Sequence, residues 1–406
     1  MDILFNLIKD YFLKELETKD SKYRQNLSTL ILDYLDKTED GSFTLNVKGF
    51  NNTYQRMHTF KGAITESFEK FVNPFDMDNT DLNVLDICSG LGYNSAALIE
   101  EFSNKFNNSN NNDLNNPKLH IDMVEISPWI LSVGLLIPSP IKSHEIIKKV
   151  IEDKLIENGV LSLNLEKGPI PENIYLKLFC EDVRVAIKKL PSNRYDGIFL
   201  DPFSPDLCPE LFTVDFFIQL KRIIKDNGVL MTYTSSAPVR SGLIEAGFYV
   251  GEGPIFGKKT GGTIGSLSLS KIKNNLPEND ERLIALSDLG IPLRDLNLDL
   301  SSDIILNNRK EERMSARSNY KISSAVKTPI FLGKDIGDEK LKRRVLKNLN
   351  QMNILSLSSK KAIFLVSPQN SDDNLNFISN SKDRIKKMAE NLQELINISS
   401  KSVQEF

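Results

Sequence analysis

The chain has 406 residues, enough for one large core with an extension or second lobe, and its apolar and charged shares, 40% and 26%, are those of an ordinary globular protein. Three scattered cysteines, Cys88, Cys180 and Cys208, are too few for a disulfide framework or a zinc cluster; they suit a reducing cytoplasm, and no metal is expected. The formal net charge of -3 means that a nucleic-acid partner has to be met by a local basic patch, and the longest apolar stretch, Trp129 to Ile137, is too short to span a membrane.

Taken in chain order, apolar positions at helical spacing (Leu4, Leu7, Ile8, Tyr11, Phe12, then Leu27, Leu30, Ile31, Tyr34, Leu35) predict one or two amphipathic helices before the turn at Asp40-Gly41. The acids at the start, as in Met1-Asp2-Ile3-Leu4-Phe5, do not read as a signal peptide. Ser42 to Val47 alternates as a strand. Tyr54-Gln55-Arg56-Met57-His58 then leads to a helix that opens at Lys61-Gly62 and runs to Phe71, in a segment crowded with polar groups.

From Asn83 the pattern alternates between strand and helix, which predicts a parallel sheet with right-handed crossovers. Strands are expected at 83–87, 119–124, 174–180, 195–200, 228–234, 247–251 and 264–270, with helices between the first six. The last follows its neighbour without a helix and is expected to run antiparallel. An Asn-rich tract, 103–116, with almost no apolar content, reads as a disordered surface insertion between a helix and the second strand. Beyond about residue 272 the composition shifts to a turn at Ile291-Pro292-Leu293-Arg294-Asp295 and basic helices at 301–317 and 340–349. Between 303 and 361 fourteen Lys/Arg face six Asp/Glu, an excess that fits either a solvated helical face or a docking surface for a polyanion. The tail beyond Ser367 is rich in Asn, Ser and Lys and is expected to pack loosely.

The chemistry gathers at strand ends. Asn83-Val84-Leu85-Asp86-Ile87 runs into Cys88-Ser89-Gly90-Leu91-Gly92, and glycines between a strand and a helix let the backbone approach a nucleotide-like ligand beside free helical N–H groups. The second strand ends in Glu125, an acid placed to take ribose hydroxyls, and the third in Glu181-Asp182, where Asp182 meets an adenine amino group. A dinucleotide wants a third glycine where this chain has Ser95, whereas S-adenosylmethionine needs a single nucleoside site. Asp86 either orients the methionyl amine or bonds the turn. The fourth strand, Tyr195 to Leu200, stops at Asp201-Pro202-Phe203-Ser204-Pro205, because proline has no N–H for the ladder. Asp201 is thereby either a turn or cap residue or an acid facing the crevice beyond the sheet.

On these motifs the chain resembles the class I S-adenosylmethionine-dependent methyltransferases, and within them the methyltransferase half of the MnmC family, which makes 5-methylaminomethyl-2-thiouridine at the tRNA wobble position. The resemblance is carried by Thr38 to Leu45, Tyr54 to Glu66, Val84 to Asn94, Phe199 to Leu211, and Thr232 to Arg240 with Gly242-Leu243-Ile244-Glu245-Ala246-Gly247-Phe248. It implies a Rossmann-like α/β sheet of seven strands, the final one antiparallel. The expected divisions are an N-terminal helical and hairpin region (1–80) over the active site, a cofactor-binding methyltransferase domain (81–272) and a basic C-terminal extension (273–406).

The resemblance further implies S-adenosylmethionine as cofactor, held by Asp86, Gly90, Gly92, Glu125 and Asp182, and tRNA as partner. Asp201 is the expected catalytic group. Tyr54, His58 and Phe203 are expected at the substrate base, and Arg240, Lys258 and Lys259 at tRNA phosphates, the last two in Phe256-Gly257-Lys258-Lys259-Thr260, where the family has Lys-Arg. The family's flavin oxidase motif is missing after residue 272, so a stand-alone methyltransferase is expected. Two alternatives share the fold: a transferase acting on a small amine or polyamine, and a non-catalytic RNA-binding accessory protein.

Overall fold

In the computed structural model the described residues are 2–48, 54–77, 80–106, 117–257, 260–367 and 378–404. Their contacts divide the chain into two compact units, Met1–Leu207 with Arg222–Tyr233 and Gly253–Gly262, and Cys208–Lys221 with Thr234–Glu252 and Thr263–Phe406.

The first unit carries five parallel strands, β1 Leu82–Ile87, β2 Leu119–Val124, β3 Ile174–Phe179, β4 Tyr195–Leu200 and β5 Ile224–Thr232. The central ones are buried on both faces: Val84, Leu85 and Ile87 in β1 and Ile198, Phe199 and Leu200 in β4 are fully enclosed, as unbroken apolar runs require. Its helices are α1 Asp2–Thr18, α2 Lys22–Leu30, α3 Ala63–Ser67 (continued by a π-helical turn to Val72), α4 Tyr93–Phe106, α5 Pro128–Leu136, α6 His144–Glu157 and α7 Val183–Lys189. The crossover from β2 to β3 thus holds two helices. Ser127 starts α5, its hydroxyl accepting from Ile130 N at 3.2 Å, with Pro128 in the first turn where its missing N–H costs nothing. The N-terminal helices are held by Arg24, buried between Glu15 and Glu152.

The strand expected over Ser42 to Val47 is broken in two. Phe43–Thr44 pairs with Asp36–Lys37, and Asn46–Lys48 pairs with Tyr54–Arg56.

In the second unit, α8 Val214–Ile223, which ends in the first unit, precedes α9 Ala237–Ala246, and β6 Tyr249–Glu252 and β7 Thr263–Ser266 form an antiparallel pair. The seven strands take the order β3-β2-β1-β4-β5-β7-β6. Gly247 ends α9 at φ 112°, and Phe248 N reaches back to Leu243 O at 2.9 Å.

Helices α10 Glu278–Leu286, α11 Ser302–Asn319, α12 Glu339–Leu349, α13 Lys360–Val366 and α14 Ser381–Gln404 complete the second unit. For α14 the expectation of a loosely packed tail is corrected, because this helix packs on α10 and α13, while residues 368–377 of that tail lie outside the described residues. Its apolar residues Ile385, Met388, Leu392 and Leu395 recur at alternating steps of three and four and are buried, a periodicity masked by the polar composition. No helix among the described residues is long and apolar enough to cross a membrane.

Candidate active site

The end of β1 carries Asp86, after which the chain turns through Cys88, Gly90 and Gly92 with left-handed φ of 60°, 54° and 85°. Space is as restrictive as conformation at the second glycine, where a Cβ would lie 2.4 Å from Ile147 Cγ2. Beneath the loop, His144 is fully buried and its Nε2 lies 2.9 Å from Leu91 O; burial pushes the imidazole down to about 4, so it supports the loop as a neutral ring. Asp86 is also fully buried. Its Oδ2 accepts from Ser95 Oγ at 2.6 Å, whereas its Oδ1 is enclosed without a hydrogen-bond partner, and burial pushes the carboxyl up to about 6.

Glu125 follows β2 and is buried against the loop. Its Oε2 accepts from Gly90 N at 3.2 Å and its Oε1 from Ser127 N at 2.9 Å, while burial holds its carboxyl above the usual range. The next residue, Ile126, is 64% exposed, an apolar surface beside an acid that sequence reasoning passed over. Asp182 stands beyond β3, as expected, but its carboxylate is occupied locally. It caps α7 by accepting from Arg184 N at 2.8 Å, and it pairs with the Arg184 guanidinium at 2.9 Å.

At the end of β4 the backbone N–H of Asp201 donates to Ile87 O at 3.2 Å, tying this strand end to that of β1. Its half-buried side chain accepts from Asn94 Nδ2 at 3.0 Å, an amide in the first turn of α4. Enclosure pushes the Asp201 carboxyl up to about 7, offset in part by Asn94 and Lys70 and reinforced by Glu66 and Asp86. Phe203 is half-buried in the following turn, and Ser204 Oγ donates to Gln55 Oε1 at 3.2 Å, joining that turn to the N-terminal hairpin.

The hairpin is fixed by Asp40. Its Oδ1 accepts from Ser42 Oγ at 2.6 Å and Thr38 Oγ1 at 2.9 Å, and its Oδ2 accepts from Thr65 N at 2.8 Å near the start of α3. Burial works against this charge, but the converging donors hold the carboxyl below its usual value. Gly62 has no side chain because none fits: a Cβ there would lie 1.9 Å from the Asp40 carboxyl.

His58 lies against this frame, with Nδ1 3.3 Å from Thr44 Oγ1 and its ring 5.6 Å from that of Tyr93, and burial pushes it down to about 4. Glu66 and Lys70, unassigned from sequence, form a 2.9 Å ion pair whose side chains are 9% and 11% exposed. The Lys70 ammonium stands 6.0 Å from the ring centroids of both Tyr233 and Phe256. The four-residue step from Glu66 to Lys70 on a helix was the readable signal.

The backbone of Tyr54 pairs with Lys48, while its side chain lies outside the description, and Lys258 and Lys259 lie outside the described residues. Arg240 does not fit the expected role. It is fully buried in α9, its Nε donates to Thr263 Oγ1 at 3.0 Å and its guanidinium pairs with Asp280 at 2.5 Å, so its charge is turned inward and away from any phosphate. Among the described residues no cluster of His, Cys, Asp and Glu has the makings of a metal site.

The family described as S-adenosyl-L-methionine-dependent methyltransferase matches residues 143–268. The uncharacterized protein MJ0670 of Methanocaldococcus jannaschii is 35% identical over 310 residues, 76% of this chain and 80% of that protein. The crystal structure of MnmC2 from Aquifex aeolicus superposes with a TM-score of 0.54 at 27% identity, covering 77% of this chain and 99% of that one. The chain belongs to the MnmC-like family of S-adenosylmethionine-dependent methyltransferases. Similarity to the Ralstonia nicotianae protein named tRNA 5-methylaminomethyl-2-thiouridine biosynthesis bifunctional protein MnmC is more local, 39% over 106 residues, which is 26% of this chain and only 15% of that protein.

The protein is therefore a methyltransferase of MnmC type with S-adenosylmethionine as its cofactor. The residues present fit that cofactor. Asp86 keeps one buried oxygen unspent, Glu125 lines the same loop, and a side chain at Gly92 would collide with Ile147 beneath.

Proposed function

We propose that this MnmC-type enzyme methylates the primary amine of a 5-aminomethyl or 5-aminomethyl-2-thio uridine at the wobble position of tRNA. The observation that carries the reading is the Asp201 carboxyl, half-buried at the end of β4, hydrogen-bonded by Asn94 and raised to about 7. An alkyl ammonium, by analogy with lysine at about 10.4, has no lone pair to give at neutral pH. A carboxylate of ordinary acidity is a poor acceptor for its proton, and one poised near 7 is a better match. The name of the Ralstonia relative supports the choice of nucleoside.

In this reading Gly90 and Gly92 cradle the cofactor, Asp86 takes its amine, Glu125 takes its ribose, Ile126 backs its base, and Asp182 borders the adenine. When bound, S-adenosylmethionine supplies an electrophilic methyl group on a sulfonium. Asp201 would draw in the substrate ammonium and accept one of its protons, leaving a neutral amine whose lone pair would take the methyl carbon as the carbon–sulfur bond breaks and its electron pair leaves with the neutral thioether. The methylated product keeps a positive charge, so Asp201 returns its proton to solvent. Asn94, anchored in the loop's own helix, fixes the direction of that carboxylate relative to the cofactor, and such alignment accounts for much of the rate. Phe203 supplies a wall for the uracil ring. His58, neutral under these conditions, orients the base with Tyr54, and Lys258 and Lys259 meet phosphates.

The reading is tested by incubating the protein with labelled S-adenosylmethionine and tRNA from cells lacking the gene, then digesting to nucleosides for mass analysis. The expected result is label in one aminomethyl-uridine heavier by a single methylene. Label confined to free amines or polyamines would replace tRNA with a small-molecule substrate.

A further inference from the structure

The basic segment of the second unit is not uniform. On α11 the arginines are used internally: Arg309 Nε donates to Ile291 O at 2.7 Å, while Arg313 and Arg317 reach Asp288 at 2.8 and 3.4 Å. On α12 the cations face outward, Arg343 Nε reaching no further than Glu339 O of its own helix at 3.3 Å. Val345 and Leu349 are buried, and Lys340, Arg343, Arg344 and Lys347, at i, i+3, i+4 and i+7, stand exposed on the opposite face.

Nearby acids do not neutralise them. Asp338 accepts from Lys340 N at 2.8 Å and Leu341 N at 3.1 Å as the helix cap, and Glu339 and Asp335 turn to Lys342 at 3.6 and 4.0 Å. Among the described residues none of the four cations has an acidic partner within ion-pair distance. They are also mutual neighbours three or four residues apart, and like charges at that spacing disfavour a helix. A chain with net charge -3 has acids enough to relieve this, yet concentrates four unpaired cations in one stripe.

We propose that this face of α12 is the surface on which the protein takes up RNA, its cations meeting successive backbone phosphates. The choice of RNA among polyanions rests on the tRNA reading above; the stripe itself does not. Two adjacent arginines suit the task, since a guanidinium meets phosphate through two parallel hydrogen bonds.

The test uses the full chain with Lys340→Gln, Arg343→Gln, Arg344→Gln and Lys347→Gln combined, and equilibrium binding of tRNA across a salt series. Each phosphate contact contributes about 0.7–0.9 to the slope of log affinity against log salt, so the variant should lose about 3 from that slope. Its Kd should rise at least about tenfold at physiological salt, while the methylation rate at saturating tRNA stays unchanged. Because exposed, mutually repelling charges are removed, the melting temperature should hold or rise, which separates lost docking from lost folding. Arg343→Lys with Arg344→Lys should keep most of the slope. Unchanged slope and affinity would overturn the proposal, as would intact RNA binding with lost binding to phosphatidylserine vesicles. If the wild type binds bulk RNA through this face yet methylates no tRNA, the docking surface stands and the substrate reading fails.

Discussion

Asp201 gets its proton affinity from enclosure at the end of β4, and Asn94 limits it by donating to the charged form. Three outcomes follow. The acid limb of the pH–rate profile should fall with an apparent pKa near 7, since only the ionised carboxylate accepts a proton. Asn94→Ala removes a donor that lowers that pKa, so the limb should move to higher pH, and an unmoved limb would detach Asn94 from this role. The third outcome concerns stability. A carboxyl whose pKa is higher folded than unfolded binds more protons in the native state, so its contribution is fully favourable below the unfolded value of 3.8 and is lost as pH rises through about 7. Asp201→Asn should therefore raise the melting temperature at pH 8 and bring little change at pH 3, as scanning calorimetry would read. Such a gain is the mark of a residue kept at some expense to stability for its chemistry.

At the scale of elements, the cofactor loop and α14 make opposite lessons. The loop between β1 and α4 was legible because a buried apolar run, two glycines and a helix leave little choice of geometry, and Asp201 was legible because Pro202 fixes where β4 stops. Gly92→Ala should cost at least about 1 kcal/mol in stability from its left-handed backbone alone, before the collision with Ile147, and should weaken S-adenosylmethionine binding in calorimetry. Helix α14 was not legible, since abundant Asn, Ser and Lys hide the spacing of four buried apolar residues. Leu392→Ala, at a site 2% exposed, should cost about 2–5 kcal/mol in denaturant unfolding. Arg240 misled because its partner Asp280 lies 40 residues further on, a pairing that no local pattern shows. Asn94 closes one recognised motif and Lys70 lies just past another, but their bearing on Asp201 depends on pairings across the fold that no local pattern encodes.

Across the whole molecule, charge and chemistry are assigned to different units. The first holds the glycine loop, the acids at the strand ends and Asp201; the second holds the exposed cations of α12. Activity on tRNA should consequently fall steeply with salt through KM, while turnover at saturating RNA changes little, a split that steady-state kinetics at two ionic strengths would show. The most direct test of the central claim is single-turnover methyl transfer to tRNA bearing a wobble aminomethyl-uridine, comparing the wild type with Asp201→Asn at neutral pH. The rate should fall by about 10²–10⁴-fold, with S-adenosylmethionine affinity within about twofold of wild type. Transfer at the wild-type rate by the variant would contradict the assignment of Asp201 as the group that prepares the amine.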